Sequence, residues 1–323
     1  MLAQALSTIL SPVVLFFVLG FGAGLLRSSL SVPEALAKGL SLYLMLAIGF
    51  KGGVEMSHAS LDAGVVGTIG LGLGAGFGLP VVAFAILRGF TRLETIDAAS
   101  VAAHYGSISV VTFVAASDYI SGLGLAYDGY IVAVVAMMET PAIISGLWLA
   151  QRSASAKKKR GMDRELMREV FLNGSVILLT GSLVIGWVTG DAGMKSIEPF
   201  IGAPFKGVLC LFLLDMGLAA STRLRAARGM DARLVAFGAL MPLIGATVGL
   251  LGSRLVGLSI GTGTLLTVLC ASASYIAVPA AMRVALPQAN PAYSLTLSLG
   301  VTFPFNVVLG IPLYTHLAQR LLA

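Results

Sequence analysis

Ala-Ala-His-Tyr-Gly-Ser-Ile-Ser, at residues 102–109, and Cys-Ala-Ser-Ala-Ser-Tyr-Ile-Ala-Val-Pro, at residues 270–279, are two polar interruptions in a strongly apolar chain. Each lies within a segment that is otherwise apolar enough to cross a lipid bilayer. Because hydrocarbon offers no water to hydrogen-bond a freed backbone N–H or C=O group, such a break is tolerated only beside a cavity or within protein. The two breaks therefore predict two discontinuous membrane helices that meet near mid-membrane.

Composition assigns the chain to the integral membrane proteins. Its mean hydropathy is +0.93 and only 11% of its residues are charged, against roughly 25% in an ordinary soluble domain. A membrane-spanning helix needs about 20 mostly apolar residues. We predict an all-α fold of ten spans, with discontinuous helices at spans four and nine. The predicted spans are residues 8–26, 33–56, 61–87, 95–116, 127–150, 166–189, 199–220, 232–257, 263–285 and 292–319.

The basic residues indicate how the protein lies in the membrane. Sixteen of the 21 Lys and Arg residues lie in, or beside, the loops that follow spans one, three, five, seven and nine. Cytoplasmic loops carry an excess of Lys and Arg, so we expect these loops inside the cell and both termini outside, with the protein in the inner (plasma) membrane. The basic charge orients the protein and gives no reason to expect nucleic acid as a partner.

The chain divides into two halves of five spans at its most charged stretch. We assign residues 1–150 to a first repeat, 151–165 to a basic cytoplasmic connector and 166–323 to a second repeat. The repeats end alike, with Leu-Ala-Gln-Arg at 149–152 and again at 317–320. An odd number of spans makes the second copy enter from the opposite side, which is an inverted repeat. We expect the connector to set topology, with binding of anionic lipid or a regulatory partner as the alternative.

Paired breaks in an inverted repeat are typical of the binding site of a secondary transporter. The N-terminus of a half-helix carries partial positive charge and attracts anions, so two half-helices that meet head to head form a small anion site. The alternative is that the serines bond to their own helices and that Pro279 is a plain kink. The predicted anion-binding residues are Gly106, Ser107, Ser109, Ser272, Ser274 and Tyr275.

Ionisable side chains inside a membrane are energetically expensive and therefore functional by default. Glu139 lies near the middle of span five, beside Pro141, and is the first candidate for handling a coupling cation or proton. Asp215, deep in span seven, is the second candidate, and an ion pair with a nearby arginine is its alternative.

Three other residues are accessory candidates. His104 borders the first break and could gate, titrate or hydrogen-bond a substrate, although a lone His is more often structural. Lys51 lies four residues before Glu55, so we expect a helical ion pair there. Arg283 follows the second break and is expected to extend to the membrane surface. No nucleotide-binding motif or Cys/His cluster occurs in the sequence, so we expect neither an enzyme nor a cofactor.

Glycines alternate along span three. Gly70, Gly74 and Gly78 share one helix face. A face of small residues permits close helix contact, so we expect packing there, either within the chain or against a neighbouring subunit.

The whole chain resembles the SbtA-like, sodium-dependent bicarbonate permeases. The most specific stretches are Lys51-Gly52-Gly53, the segment around Gly106-Ser107, and the run from Arg283 to Tyr293. The resemblance implies a ten-span inverted repeat that forms homotrimers and works by an elevator-like movement. It also implies bicarbonate held at facing half-helices with sodium beside it. Some relatives bind a P-II-like regulatory protein, and they have a long insertion between the halves that is short here.

Departures from the family pattern leave the anion and the coupling ion open. The second break of the family reads Ser-Ser-Ser-Asp-Ile-Ser-Gly-Pro, where this chain reads Ser-Ala-Ser-Tyr-Ile-Ala-Val-Pro at residues 272–279. Tyr275 thus replaces a carboxylate that could hold sodium. We predict a symporter of a small anion, with sodium-dependent bicarbonate uptake first and a proton- or sodium-coupled organic-anion transporter as the alternative. A channel or a membrane enzyme fits less well, since inverted halves favour alternating access.

Overall fold

The computed structural model describes residues 12–58, 63–153, 172, 174–227 and 229–323. These residues form helices joined by short loops, with no β-strand among them. Most of the predicted connector lies outside the described residues. The helices are α1 (Pro12–Leu25), α2 (Glu34–His58), α3 (Ala63–Phe90), α4 (Thr95–Gly106), α5 (Val110–Gly122), α6 (Ile131–Ser153), α7 (Gly174–Ile201), α8 (Pro204–Ala227), α9 (Ala232–Val256), α10 (Ile260–Ala271), α11 (Ala277–Ala285) and α12 (Pro291–Leu321), the last with π-helical turns at Thr296–Thr302 and Asn306–Gly310.

The predicted all-helical membrane protein is confirmed. In the described residues, eight segments are long and apolar enough to cross a membrane, with α4 and α5 forming one of them. α1 and α10 are shorter apolar helices of 14 and 12 residues. Residues 8–11 of the first predicted span lie outside the described residues, so the count of ten spans stays a prediction.

The region of spans six and seven differs from its prediction. We expected span six to end at residue 189 and span seven to begin at 199, whereas α7 continues to Ile201 and α8 begins at Pro204. The continuation is kinked at Gly190, which has φ 53° and ψ −146°. Glycine adopts such a conformation without a Cβ clash, so the helix changes direction there and resumes.

Close backbone contacts at glycine join α1 with α8 and α2 with α7, and we call these four helices the four-helix group. α1 packs along α8 at Gly20, where a Cβ atom would lie 2.0 Å from the carbonyl oxygen of Leu214. α2 packs along α7 in the same manner, since a Cβ atom at Gly53 would lie 2.0 Å from the carbonyl oxygen of Leu183. Small residues let helix backbones approach this closely, so both crossings require glycine.

The other helices, α3–α6 and α9–α12, surround the two breaks and form the broken-helix group. α4 and α5 lie at its centre and are almost wholly buried. α3 lies against α6 at Gly72 and Gly76, where added Cβ atoms would meet Val134 and Pro141 at 2.4 and 3.1 Å. Tight packing at small residues thus also positions α6, the helix that carries Glu139.

The glycine face that we singled out on α3 makes no such contact. Gly70, Gly74 and Gly78 have no heavy atom within 4 Å of an added Cβ position. Residues two apart on a helix point about 200° apart, so the face that packs in the chain is the opposite one, formed by Gly72 and Gly76. Contact with a neighbouring subunit stays a prediction.

Gly53→Ala should destabilise the protein, and the matched change Gly74→Ala should not. Both add one methyl group to a helix, but only Gly74 has open space for it. Overpacking at Gly53 should cost about 1–3 kcal/mol, and Gly74→Ala should be neutral or slightly stabilising because alanine favours helices. Thermal unfolding of the purified protein in detergent measures both, and equal melting temperatures would contradict the described α2–α7 crossing.

Candidate functional site

Both predicted breaks interrupt their helices in the same way. α4 and α10 are each 12 residues long, and each is followed by a serine with an extended backbone. Ser107 has φ −93° and ψ 161°, and Ser272 has φ −90° and ψ 169°. Extended residues leave the helical hydrogen-bond ladder, so the backbone groups around each break need partners elsewhere.

Each break supplies partners for the other. The N–H of Ser109 donates to the Ser272 hydroxyl at 2.9 Å, and the N–H of Ser274 donates to the His104 carbonyl at 2.8 Å. The Ser272 hydroxyl in turn donates to the Leu269 carbonyl at 2.9 Å. The broken ends therefore lie side by side, and the Ser272 side chain is occupied by structural bonds.

Polar side chains on the π-helical turns of α12 also reach the breaks. Asn306 donates from Nδ2 to the carbonyl of Ala271, the last residue of α10, at 2.8 Å and accepts from the Tyr314 hydroxyl at 2.9 Å. The Thr302 hydroxyl donates its proton to a carbonyl of α9 at 2.6 Å. It can therefore only accept from the Tyr105 hydroxyl of α4, which lies 2.7 Å away and donates to it. Our sequence analysis missed this network. The signal that could have found it is the lone Asn in span ten, since buried amides find partners.

A small cavity lies where the two breaks, α6 and α2 meet. Its volume is about 10 Å³, which is room for about one water molecule. The breaks themselves contribute most of its wall. The lining residues are Met45, Ile108, Ser109, Val110, Glu139, Ser274, Tyr275 and Ile276.

Glu139 gives this cavity a carboxyl group. The residue is 5% exposed, and its Oε2 atom has no hydrogen-bond partner in the protein. A buried carboxylate without a partner is strongly destabilising unless it is protonated or paired with a cation. The arrangement therefore suits a group that holds a proton or a cation.

Three hydroxyl groups face the same cavity. The Ser109 hydroxyl accepts from the N–H of Thr112 at 3.2 Å, and the Ser274 hydroxyl accepts from the N–H of Val278 at 3.4 Å. As caps they use an oxygen lone pair, so each can still donate its own proton. The buried Tyr275 hydroxyl points towards Ser109 without making a hydrogen bond of good geometry. The cavity thus offers several O–H donors.

His104 and Ser107 lie at the first break but do not line the cavity. Nδ1 of His104 donates to the Ser100 carbonyl at 2.7 Å, while its Nε2 atom is buried without a partner. The Ser107 hydroxyl is also buried without a partner. A Cβ atom at the adjacent Gly106 would lie 2.1 Å from the ring of Pro80, so this glycine serves close packing on α3.

Asp215 is not brought to Glu139. It lies half-buried on α8, in a separate cleft of about 380 Å³ between α8 and the end of α1. Arg27 and Arg225 line the same cleft, but Asp215 forms no ion pair with either in the described structure. The two carboxyl candidates therefore belong to different helix groups.

Lys51 and Arg283 also lie away from the cavity. The Lys51 ammonium stands over the ring of Phe205, 4.6 Å from its centroid. The expected ion pair between Lys51 and Glu55 is wrong, because neither of the two ion pairs in the described residues includes them. A partly desolvated cation on an aromatic face is a favourable alternative. Arg283 is exposed in the last turn of α11.

Comparison with known proteins identifies the family to which this geometry corresponds. The model of the Na+-dependent bicarbonate transporter superfamily matches residues 12–319, a range that includes both breaks and the cavity. A search of curated proteins finds no match. The resemblance noted in the sequence is confirmed by the family match.

Ser272→Ala and Ser107→Ala should differ in their effect on folding, independently of any substrate. Removing the Ser272 hydroxyl leaves the N–H of Ser109 without a partner, which should cost about 1–3 kcal/mol. Removing the unpartnered Ser107 hydroxyl should cost little or stabilise the protein. Melting temperatures in bicarbonate-free buffer measure both, and a Ser272→Ala protein as stable as the wild type would refute the pairing of the two breaks.

Proposed function

The chain belongs to the Na+-dependent bicarbonate transporter superfamily, and on that premise we propose that it carries a small anion, bicarbonate first, together with a coupling cation. Membership makes it a transporter rather than an enzyme. The observation that carries the proposal is the cavity between the breaks, which combines O–H donors with the buried, unpartnered carboxyl group of Glu139.

Anion binding in this cavity uses the starts of α5 and α11. The first N–H groups of a helix have no partner within it, and the helix dipole adds partial positive charge. α5 begins at Val110 and α11 at Ala277, one at each break. The lining residues include no Lys or Arg, so backbone and hydroxyl groups hold the anion. Ser109, Ser274 and Tyr275 are the side chains we assign to it, with Gly106, Ser107 and Ser272 shaping the breaks.

An organic anion is the second candidate, and the apolar part of the wall favours it. Met45, Ile108 and Ile276 present aliphatic side chains that suit a carboxylate with an apolar substituent. The small volume favours bicarbonate instead. Uptake of labelled bicarbonate into proteoliposomes, with and without an inward sodium gradient at fixed pH, decides between them when formate, acetate and lactate are added as competitors.

Glu139 is the carboxyl group that we assign to the coupling ion, sodium or a proton. It lies in the anion cavity, so a cation held there interacts directly with the transported anion. Asp215 is the weaker candidate, because its cleft lies in the other helix group.

Glu139→Gln should abolish coupled uptake, while Asp215→Asn should retain it. Gln is close in shape to Glu but can neither bind a proton nor neutralise a cation at this site. We expect bicarbonate accumulation under an ion gradient to fall by at least 10-fold in Glu139→Gln, with membrane insertion and melting temperature preserved. Normal, coupled accumulation by this variant would remove Glu139 from the mechanism, and the reverse pattern would assign coupling to Asp215.

The inverted repeat that we propose is supported by the pairing of helices. If the second half repeats the first, α1 corresponds to α7 and α2 corresponds to α8. The α1–α8 pair should then have the α7–α2 pair as its counterpart, and both pairs are observed. Two hydrogen bonds between the halves correspond to each other in the same way. Asn290 donates its N–H to Asp97, in α4, at 2.8 Å, and Asp128 donates its N–H to Thr262, in α10, at 2.9 Å. Asp97 and Thr262 are each the third residue of their half-helix.

Elevator-like movement follows if the broken-helix group slides along the four-helix group with the anion inside it. All lining residues of the cavity except Met45 belong to the broken-helix group. Among the residues that the structure describes, one ion pair bridges the two groups, that of Lys206 of α8 with Asp118 of α5 at 3.6 Å. The other, His58 with Asp191 at 3.2 Å, lies within the four-helix group.

Cross-linking these two pairs tests the movement. With the two native cysteines replaced, Asp118→Cys with Lys206→Cys should stop uptake once oxidised or bridged by a short thiol reagent, and reduction should restore it. His58→Cys with Asp191→Cys, bridged in the same manner, should leave uptake unchanged. Full uptake by the bridged 118–206 protein would exclude sliding at this contact.

Orientation and assembly complete the proposal. The distribution of basic residues supports both termini outside the cytoplasm, in the inner membrane. We propose a homotrimer, for which exposed apolar side chains such as Leu19 on α1 and Val188 on α7 are available. A P-II-like regulator would contact the cytoplasmic face that carries the connector.

A further inference from the structure

We propose that Tyr275 determines which anions this protein accepts, because its ring limits their size and its hydroxyl donates a hydrogen bond to them. This inference rests on the function proposed above, since it concerns the same cavity. It goes further by assigning the size limit of the cavity and one of its hydrogen bonds to a single residue.

The Tyr275 ring is a supported wall of the cavity. It packs edge-on against Phe303 of α12, with ring centroids 5.5 Å apart and planes at 67°. Phe303 is 1% exposed and packs edge-on against Phe17 of α1, again at 5.5 Å. A row of three aromatic rings therefore runs from the second break to the four-helix group. Because the ring is supported from behind, it does not swing away easily to admit a larger ligand.

The size of the cavity sets the first limit. At about 10 Å³ it has room for about one water molecule. Bicarbonate and formate need a small opening of the walls. Acetate and lactate need room for an additional methyl or hydroxyethyl group, and we expect the packed Tyr275 ring to oppose this larger opening. Truncating the side chain to alanine removes the phenol and creates the room.

The hydrogen-bonding groups set the second limit. Ser109, Ser274 and Tyr275 each have an O–H to donate, and the carboxylate of Glu139, balanced by its coupling cation, accepts. Bicarbonate matches this set, because its ionised oxygens accept and its own O–H donates to Glu139. Formate and acetate have no O–H and leave the Glu139 oxygen without a donor, which costs affinity.

Two substitutions separate the roles of the ring and the hydroxyl. Tyr275→Phe keeps the ring and its packing, so acetate and lactate should still fail to compete, while the KM for bicarbonate should rise about 10- to 100-fold, as for a lost hydrogen bond to a charged group. Tyr275→Ala should make acetate and lactate effective competitors. Tyr293→Phe, a matched removal of a hydroxyl on α12 away from the cavity, should behave as the wild type.

The measurements are initial rates of labelled bicarbonate uptake in proteoliposomes and competition by formate, acetate and lactate. If the wild type takes up bicarbonate, but Tyr275→Phe leaves its KM unchanged or Tyr275→Ala admits neither larger anion, the inference is overturned and the proposed function stands. If wild-type protein of normal melting temperature takes up no bicarbonate, the proposed function fails and the inference fails with it. Tyr275→Phe retains the packing on Phe303 and tests the hydroxyl even if Tyr275→Ala does not fold.

Discussion

The centre of this protein depends on satisfying backbone N–H and C=O groups where there is no water. Two helices end in the middle of the apolar core, and each end leaves backbone N–H and C=O groups without helical partners. In hydrocarbon, each unpaired group would cost several kcal/mol of free energy. The protein satisfies these groups by placing the two ends against each other, Ser109 on Ser272 and Ser274 on His104. Asn306 completes the arrangement at the last carbonyl of α10. The Oε2 atom of Glu139 remains without a partner, and we propose that a ligand and a cation bind beside it.

Close helix packing at glycine holds neighbouring helices together. α1 with α8 and α2 with α7 approach so closely that an added methyl group would overlap the opposite backbone. α9 and α10 approach in the same manner inside the other group, at Gly245, while α3 packs at Gly72 and Gly76 against side chains of α6. Close contacts at glycine also cross between the groups, since a Cβ atom at Gly300 of α12 would lie 3.0 Å from the backbone of Arg223 on α8. The sliding that we propose therefore has to change this backbone contact as well as side-chain contacts such as the edge-on pair Phe17–Phe303 and the ion pair of Lys206.

The sequence predicted the features that depend on composition and local chemistry. Both breaks and the all-helical class follow from polar residues in apolar segments, because the cost of burying them is large and local. Glu139 was singled out for the same reason and is buried in the structure, while its role in coupling stays a prediction. The sequence did not predict which serines are occupied by structural bonds, since Ser272 and Ser274 differ only in the partners that the folded chain brings to them. The sequence also did not show which face of α3 packs within the chain, because Gly70 and Gly72 are chemically alike and only the position of α6 distinguishes them. The Lys51 ammonium lies over the ring of Phe205 on α8, and the sequence around Lys51 does not predict this contact between distant parts of the chain.

The bond between Ser109 and Ser272 has a consequence for biosynthesis. The two residues are 163 positions apart in the chain, so the first break enters the membrane long before its partner has been translated. Until then its freed N–H must be solvated by water or by the insertion machinery, since lipid cannot do so. The first half-chain alone is therefore an incomplete structure in the bilayer, and the cavity between the breaks cannot close until the second break has been translated.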